Sequence, residues 1–320
     1  MVVHRKFESP VGGSTRLKDF GEPMMRIVGS DSVRRAGVTG CMLAAAILVT
    51  GCVSFAFAAE DSPTKDASAT AASEKADTAA AKLRANLDAS VEWNEFAASD
   101  GESAEFQAHL AHRWTNNERD PNGQGVLVVW SAGGRPHAFA SIYPWAGNLV
   151  HELETISRTP FVMSRDGAVT WQPTSGLTFR PIPGASVPNA KPVARLREMK
   201  ELADRFEVTM LGWNADDSDR ERLRRLPKEF FRHKPESREV LDGAVFGFVK
   251  GTDPEALLIV EAVPGADANS PAKYEFAFAR ATSGALEARL GDEVVWTAAK
   301  HPQRRDPSGL SFSIGRRLGQ

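Results

Sequence analysis

The sequence predicts an α+β protein, mainly antiparallel β, in which two pseudo-repeated five-strand meanders form one sandwich or highly curved sheet, with one amphipathic helix between the copies. Three observations point there: an internal repeat of hairpin-like segments, glycine-bearing turns at matching places, and one stretch of helical periodicity between the two halves. The 320 residues are 42% hydrophobic and 25% charged with a net charge of −2, which fits an ordinary globular chain and excludes collagen-like, wholly disordered and disulfide-scaffold classes.

The N-terminal 58 residues read as an extension carrying an export signal. Residues 36–58 have no charge, follow Arg26, Arg34 and Arg35, and end on Ala56-Phe57-Ala58, so a basic segment, an apolar segment and a small-residue cleavage site stand in order. Cleavage after Ala58 would leave 262 residues beginning at Ala59. Two alternatives stay open. Val49-Thr50-Gly51-Cys52 resembles a lipobox that would make Cys52 a lipidated first residue, and the uncharged stretch meets the roughly 20-residue length of an uncleaved membrane anchor. Both cysteines, Cys41 and Cys52, lie in this segment, so a chain cut after Ala58 has no thiol chemistry and relies on packing without disulfides. Removing the 7 basic and 4 acidic residues of 1–58 takes the net charge from −2 to −5, a poor field for polyanions. No nucleic-acid partner is expected, and membrane contact only through a lipid or anchor at the N-terminus.

Residues 59–82 contain no Leu, Ile, Val, Met or aromatic side chain and read as a disordered linker; Leu83, Leu87 and Val91 then allow a short docking helix within 79–96. The single globular domain is 83–320. In it, residues 125–145 align without a gap on 243–263, sharing Gly125/Gly243, Gly133/Gly251, Pro136/Pro254 and Ala138/Ala256. Each copy gives a strand, a Gly-containing loop ending in Pro where a ladder N–H is not yet needed, and a second strand. After a longer loop around Asp267-Ala268-Asn269-Ser270, Leu149–Trp171 faces Tyr274–Trp296, with Asp166-Gly167 and Gly291-Asp292 as closing turns. Leu110–Trp114 and Lys228–Arg232 serve as first strands, so the copies cover about 108–172 and 226–297. Between them, Pro173, Pro181, Pro183 and Pro188 keep the chain extended. Pro192 then opens a helix over 191–206, with Leu196, Met199, Leu202, Ala203 and Phe206 on its apolar face, and Phe206–Trp213 adds a strand.

The runs Arg113-Trp114-Thr115-Asn116, Gly134-Arg135-Pro136, His151-Glu152, Arg180–Ala185, Asp242-Gly243-Ala244 and Gly251–Glu255 resemble the recurring pattern of an uncharacterised family of exported planctomycete proteins with no assigned activity. The resemblance spans roughly 105–298 and implies export and a single unit; it lends no catalytic residue.

Read for chemistry, the chain yields no convergent set. His151 and Glu152 are strand neighbours that point to opposite faces, and no His-Glu-x-x-His spacing or Gly-x-Ser-x-Gly elbow occurs. Ser131 has no evident base, and Glu152, Glu154 and Asp166 offer carboxylates whose separation spacing alone does not give. Arg220–Lys234 interleaves basic residues with Phe230 and Phe231 but also with acids, reading as a self-paired helix turn rather than a polyanion patch. Trp130, Trp145 and Trp171 with Tyr143 would line a carbohydrate-type cleft, although the repeat maps Trp130 on Phe248 and Trp171 on Trp296, as core positions would. No catalytic, cofactor-binding or metal-ligating residue is assigned and no cofactor is expected. The leading expectation is an exported non-catalytic binding or interaction module of the cell envelope with an unidentified envelope ligand or protein partner; the alternative is an envelope hydrolase using His151 with nearby carboxylates.

Overall fold

The computed structural model describes residues 64–99, 105–116, 123–211, 220–234, 239–267, 269–301 and 304–318; the export segment, Cys41, Cys52, Ala58, Trp213 and the acidic residues at 216, 217 and 219 lie outside them. The chain is mainly antiparallel β with two α-helices among the described residues. No described helix is long and apolar enough to cross a membrane.

Helix α1 runs Thr64–Ala89, followed by a 3-10 turn at Ser90–Trp93 and the short strand β1, Glu95–Ala98. The first nineteen residues of α1, 64–82, belong to the stretch that reads as a linker in the sequence. Eight alanines and three lysines among residues 64–82 favour helix even with no larger apolar side chain, and Leu83 and Leu87 dock its last turns on the core. Strands β2 (Gln107–Thr115), β3 (Gln124–Ala132), β4 (Arg135–Trp145) and β5 (Asn148–Thr155) then form a sheet in chain order, extended at the β5 edge by the last strand, β18 (Ser311–Arg317). The chain leaves this sheet at Ile156–Pro160 and makes the hairpin β6 (Phe161–Arg165) and β7 (Ala168–Trp171), which pairs with β1 in a separate three-stranded sheet. The expected five-strand meander is therefore four strands plus a hairpin in another sheet. The break follows from side chains that compete for the backbone: Thr155 Oγ1 accepts from Ser157 N and Ser157 Oγ from Thr159 N, just before a proline.

The second half runs through β8 (Arg180–Pro181), α2 (Pro192–Ala203), β9 (Phe206–Leu211), β10 (Glu221–Arg222), β11 (Arg224–Arg225), β12 (Phe231–His233), β13 (Asp242–Lys250), β14 (Asp253–Val263), β15 (Lys273–Arg280), β16 (Ala285–Leu290) and β17 (Glu293–Ala298). Strands β13, β14 and β15 make the centre of a second large sheet, with β12 on β13; β16–β17 turn away to pair with β9. The first strand of this half is thus Phe231–His233, not Lys228–Arg232. Helix α2 matches the expected periodicity, and Met199, Leu202 and Ala203 pack on the sheet.

The ladders of the two halves run in parallel. In the first large sheet Val126 faces Ile142 and Val128 faces Ala140, with an irregularity at Trp130/Ser131; in the second Ala244 faces Val260 and Phe246 faces Leu258, with one at Phe248/Val249. The hairpins pair Met163 with Trp171 and Ala288 with Trp296, each with a register shift one residue later, and take Phe96 of β1 and Val208 of β9 as partners.

Three cores follow from this layout. One face of the first large sheet (Val126, Val128, Ala140, Leu153) packs with Leu87 of α1 and with Phe161, Met163 and Trp171 of the small sheet. Its other face (Leu127, Val129, Phe139) meets Val245, Leu257 and Ile259 of the second large sheet. The far side of that sheet (Phe246, Leu258, Phe278) is covered by α2 and by Val208 and Leu286. Because both faces of β3, β13 and β14 are covered, these strands read as nearly continuous apolar runs instead of alternating.

Candidate functional site

A cavity of about 750 Å³ opens at one end of the layer between the two large sheets, within the size range of small-ligand pockets. Its first wall is β4, where Ser141, Tyr143 and Trp145 lie two residues apart and so share one face. Trp145 is the last residue before a two-residue turn, Ala146 (φ 48°) and Gly147 (φ 77°), and pairs with Asn148 across it. Such turns need positive φ at both central positions, and alanine there costs about 1–2 kcal/mol, a local strain that the flanking ladder holds in place. Trp145 is left 66% exposed at the cavity mouth.

Trp114, at the end of β2, lies across Gly125 and 5.9 Å from the ring of Tyr143. A Cβ at position 125 would collide with the Trp114 ring and come 2.6 Å from the Ile142 carbonyl oxygen, so glycine is what lets the indole lie flat. Trp114 is 6% exposed and its Nε1 has no hydrogen-bond partner.

The second large sheet supplies the opposite wall. Asp253, the first residue of β14, accepts from Asn116 Nδ2 at 3.0 Å. Thr282 and Ser283 follow β15 in a loop clamped by the buried Arg280, whose Nε donates to the Thr282 carbonyl at 2.9 Å and whose Nη2 donates to that of Gly284 at 2.6 Å. Beneath the cavity, buried Arg304 pairs with Glu152 and, through Nη1 at 2.7 Å, with Glu154, which also accepts from the Ser311 hydroxyl. Burial pushes the Glu154 carboxyl up to about 7 against the pull of Arg304, and raises the Tyr143 phenol, which donates to Glu152.

No known protein family, curated protein or solved structure matches the chain.

The fold redistributes the residues that the sequence offers as candidates. His151 projects into the core under α1, stacked on Trp93 and bonded through Nδ1 to Asn94 Nδ2 at 3.0 Å. Glu152 and Glu154 share Arg304 on the opposite side of β5, and Asp166 sits on the β6–β7 turn paired with Arg316. The hydrolase constellation does not converge: of these four, only Glu152 lines the cavity. Ser131 does have a base neighbour, His109 Nε2 at 2.8 Å, invisible in the sequence because it is contributed by the adjacent strand, but neither lines the cavity. Trp130 and Trp171 are core residues, whereas Tyr143 and Trp145 line the cavity. The basic run is extended, not a helix turn, and is paired with acids outside itself: Arg222 with Glu207, Arg225 with Asp204, Arg232 with Asp242. Among the described residues no group of His, Cys, Asp and Glu has the arrangement of a metal site.

Near the other end of β14 the same layer is filled. His233 lies over Gly243 as Trp114 lies over Gly125, and Glu261 stands where Tyr143 stands in the first sheet. Glu261 binds His233, Arg135 and Arg158, and Arg158 rests on Phe179 at 3.7 Å.

Proposed function

We propose that the chain is an exported, non-catalytic binding module of the cell envelope that holds its ligand in the Trp114–Tyr143–Trp145 cavity. The observation that carries this reading is the state of the cavity's charges. Glu152 is committed to Arg304 and Asp253 accepts from Asn116, while the exposed Trp145 indole is presented at the mouth. A general base or nucleophile would need a carboxylate or imidazole poised for transfer; these are held in mutual pairs instead. Export is proposed on the basic, apolar and Ala-x-Ala order of residues 26–58, and the resemblance to exported planctomycete proteins is in keeping with it.

The same proposal takes the two large sheets, each with its hairpin and helix, as one unit written twice and packed as a sandwich. In support, the central ladders coincide when residue numbers are shifted by 118, irregularities included, and the hairpin ladders when shifted by 125. On this view the site is the end of the layer that stayed open, and the Glu261 cluster is its filled counterpart.

Equilibrium dialysis of the protein against fractionated envelope extract, read by mass spectrometry, tests the binding reading. The expected result is a compound retained intact by the wild type and lost in Ser283→Trp, which fills the cavity from a half-buried loop position. Recovery of a cleaved product, or equal retention by the filled variant, overturns it.

A further inference from the structure

We infer that the cavity receives a neutral glycan segment, one sugar ring stacking its C–H face on Trp145 while its hydroxyls exchange hydrogen bonds with the wall opposite. The inference rests on the binding reading above and names the ligand class for that site. It comes from two features that pull in different chemical directions and that few ligands satisfy together.

The first is the aromatic row. Tyr143 and Trp145 stand on one face of β4, and Trp114 flanks Tyr143 at 5.9 Å, so an apolar strip leads from the buried indole to the exposed one. Water is a poor partner for an indole face, whereas an apolar face of matching size removes both from solvent. The turn at Ala146-Gly147 fixes the Trp145 backbone at a ladder end, so only the two side-chain torsions of the indole have to be ordered on binding.

The second is the polar wall. Thr282 and Ser283 bring hydroxyls from this wall, Ser313 adds one from β18 of the first sheet, and the Asp253 carboxylate, held by Asn116, adds an acceptor-only group. A purely apolar ligand would make no use of these hydroxyls, and a polyanion would meet Asp253 and the Arg304-paired Glu152 against a single lining cation, the exposed Arg305. An uncharged polyol with an apolar face meets both demands. Sugars are the compact molecules of that description: axial and equatorial substituents separate C–H patches from hydroxyls on a rigid ring.

The test is titration of the full chain with cello-, malto-, xylo- and manno-oligosaccharides and with acidic oligogalacturonides, followed by tryptophan fluorescence and calorimetry. We expect at least one neutral oligosaccharide to saturate the protein. Trp145→Ala should weaken it about tenfold or more at unchanged melting temperature, and Trp145→Phe should restore most of the affinity. Absence of binding by every neutral oligosaccharide, equal affinity in Trp145→Ala, or preference for the acidic oligomers overturns the glycan assignment. If that happens while Ser283→Trp still abolishes retention of an envelope compound, the binding reading stands and only the ligand class falls. If Ser283→Trp retains that compound, the cavity itself is the wrong site.

Discussion

Replacing Glu261 by alanine is expected to lower the unfolding free energy at neutral pH by about 3–5 kcal/mol, the usual cost of stripping one member from a buried ion cluster. The carboxylate is fully buried between the two large sheets. Its Oε1 accepts from Arg135 Nη2 at 2.7 Å and from His233 Nε2 at 3.2 Å, and its Oε2 accepts from Arg158 Nη2 at 2.7 Å. Without it, Arg135 loses its carboxylate in a buried setting, and Arg158 keeps only Glu275 at 2.9 Å. Burial alone would raise the Glu261 pKa, yet the bond from His233 and the charges of Arg135 and Arg158 prevail and hold it at about 2. A carboxyl with a depressed pKa stabilises the fold above its unfolded value of about 4.5 and loses that contribution as pH falls toward 2. The gap between wild type and Glu261→Gln, which keeps the side-chain shape, should therefore narrow below about pH 4.5. Denaturant unfolding at several pH values measures both effects. A loss under about 1 kcal/mol for the alanine variant would mean that the arginines reach solvent with ease, and that the cluster does not seal this end of the layer.

Arg304→Met is the second large effect, also expected at about 3–5 kcal/mol, with a different pH signature. Arg304 lies beneath the cavity with Glu152 and Glu154 as its partners, so its loss leaves two carboxyl groups in a confined space. Burial already lifts Glu154 to about 7, and removing the cation lifts it further. A carboxyl whose folded pKa is raised is best tolerated below its unfolded value, and its contribution is lost as pH rises through the folded value. The variant should therefore lose most at about pH 8 and much less at about pH 5, where the buried carboxyl stays protonated. Equal losses at the two pH values would sink this account. Because Glu152 forms part of the cavity wall, the same variant should also disturb ligand retention.

Much of the fold was legible because its signals are local. Gly133 and Gly134 both adopt positive φ between β3 and β4, and Asp166-Gly167 does so between β6 and β7, so these hairpins are written in their own turn residues. Helix α2 announces itself by Pro192 and by the spacing of Met199, Leu202 and Ala203. The elements that escaped are those whose place depends on partners. β1 exists because β6 pairs with it, and β18 because β5 has an open edge. The long reach of α1 escaped because absence of apolar residues argues against burial, not against helix. The candidate site was harder still. Tyr143 and Trp145 stood out only within an aromatic set that also held the core residues Trp130 and Trp171, and Asp253, Thr282, Arg305 and Ser313 reach the same cavity from segments far apart in sequence. Only the stacking of one sheet upon another brings them together.

Strand β14 carries a lesson about tolerance to change. All eleven residues from Asp253 to Val263 are buried, so this strand has no solvent side on which substitutions can drift freely. Each side chain must suit either the layer shared by the large sheets or the layer under α2. The charged exceptions sit toward its ends: Asp253 at the cavity with Glu255 two residues on, and Glu261 in the cluster with Arg135, Arg158 and His233. The strand is thus a single ruler on which an open end and a sealed end are marked. A lineage seeking a new ligand would have to vary the residues around Trp145 and the Thr282 loop while leaving the ruler almost untouched.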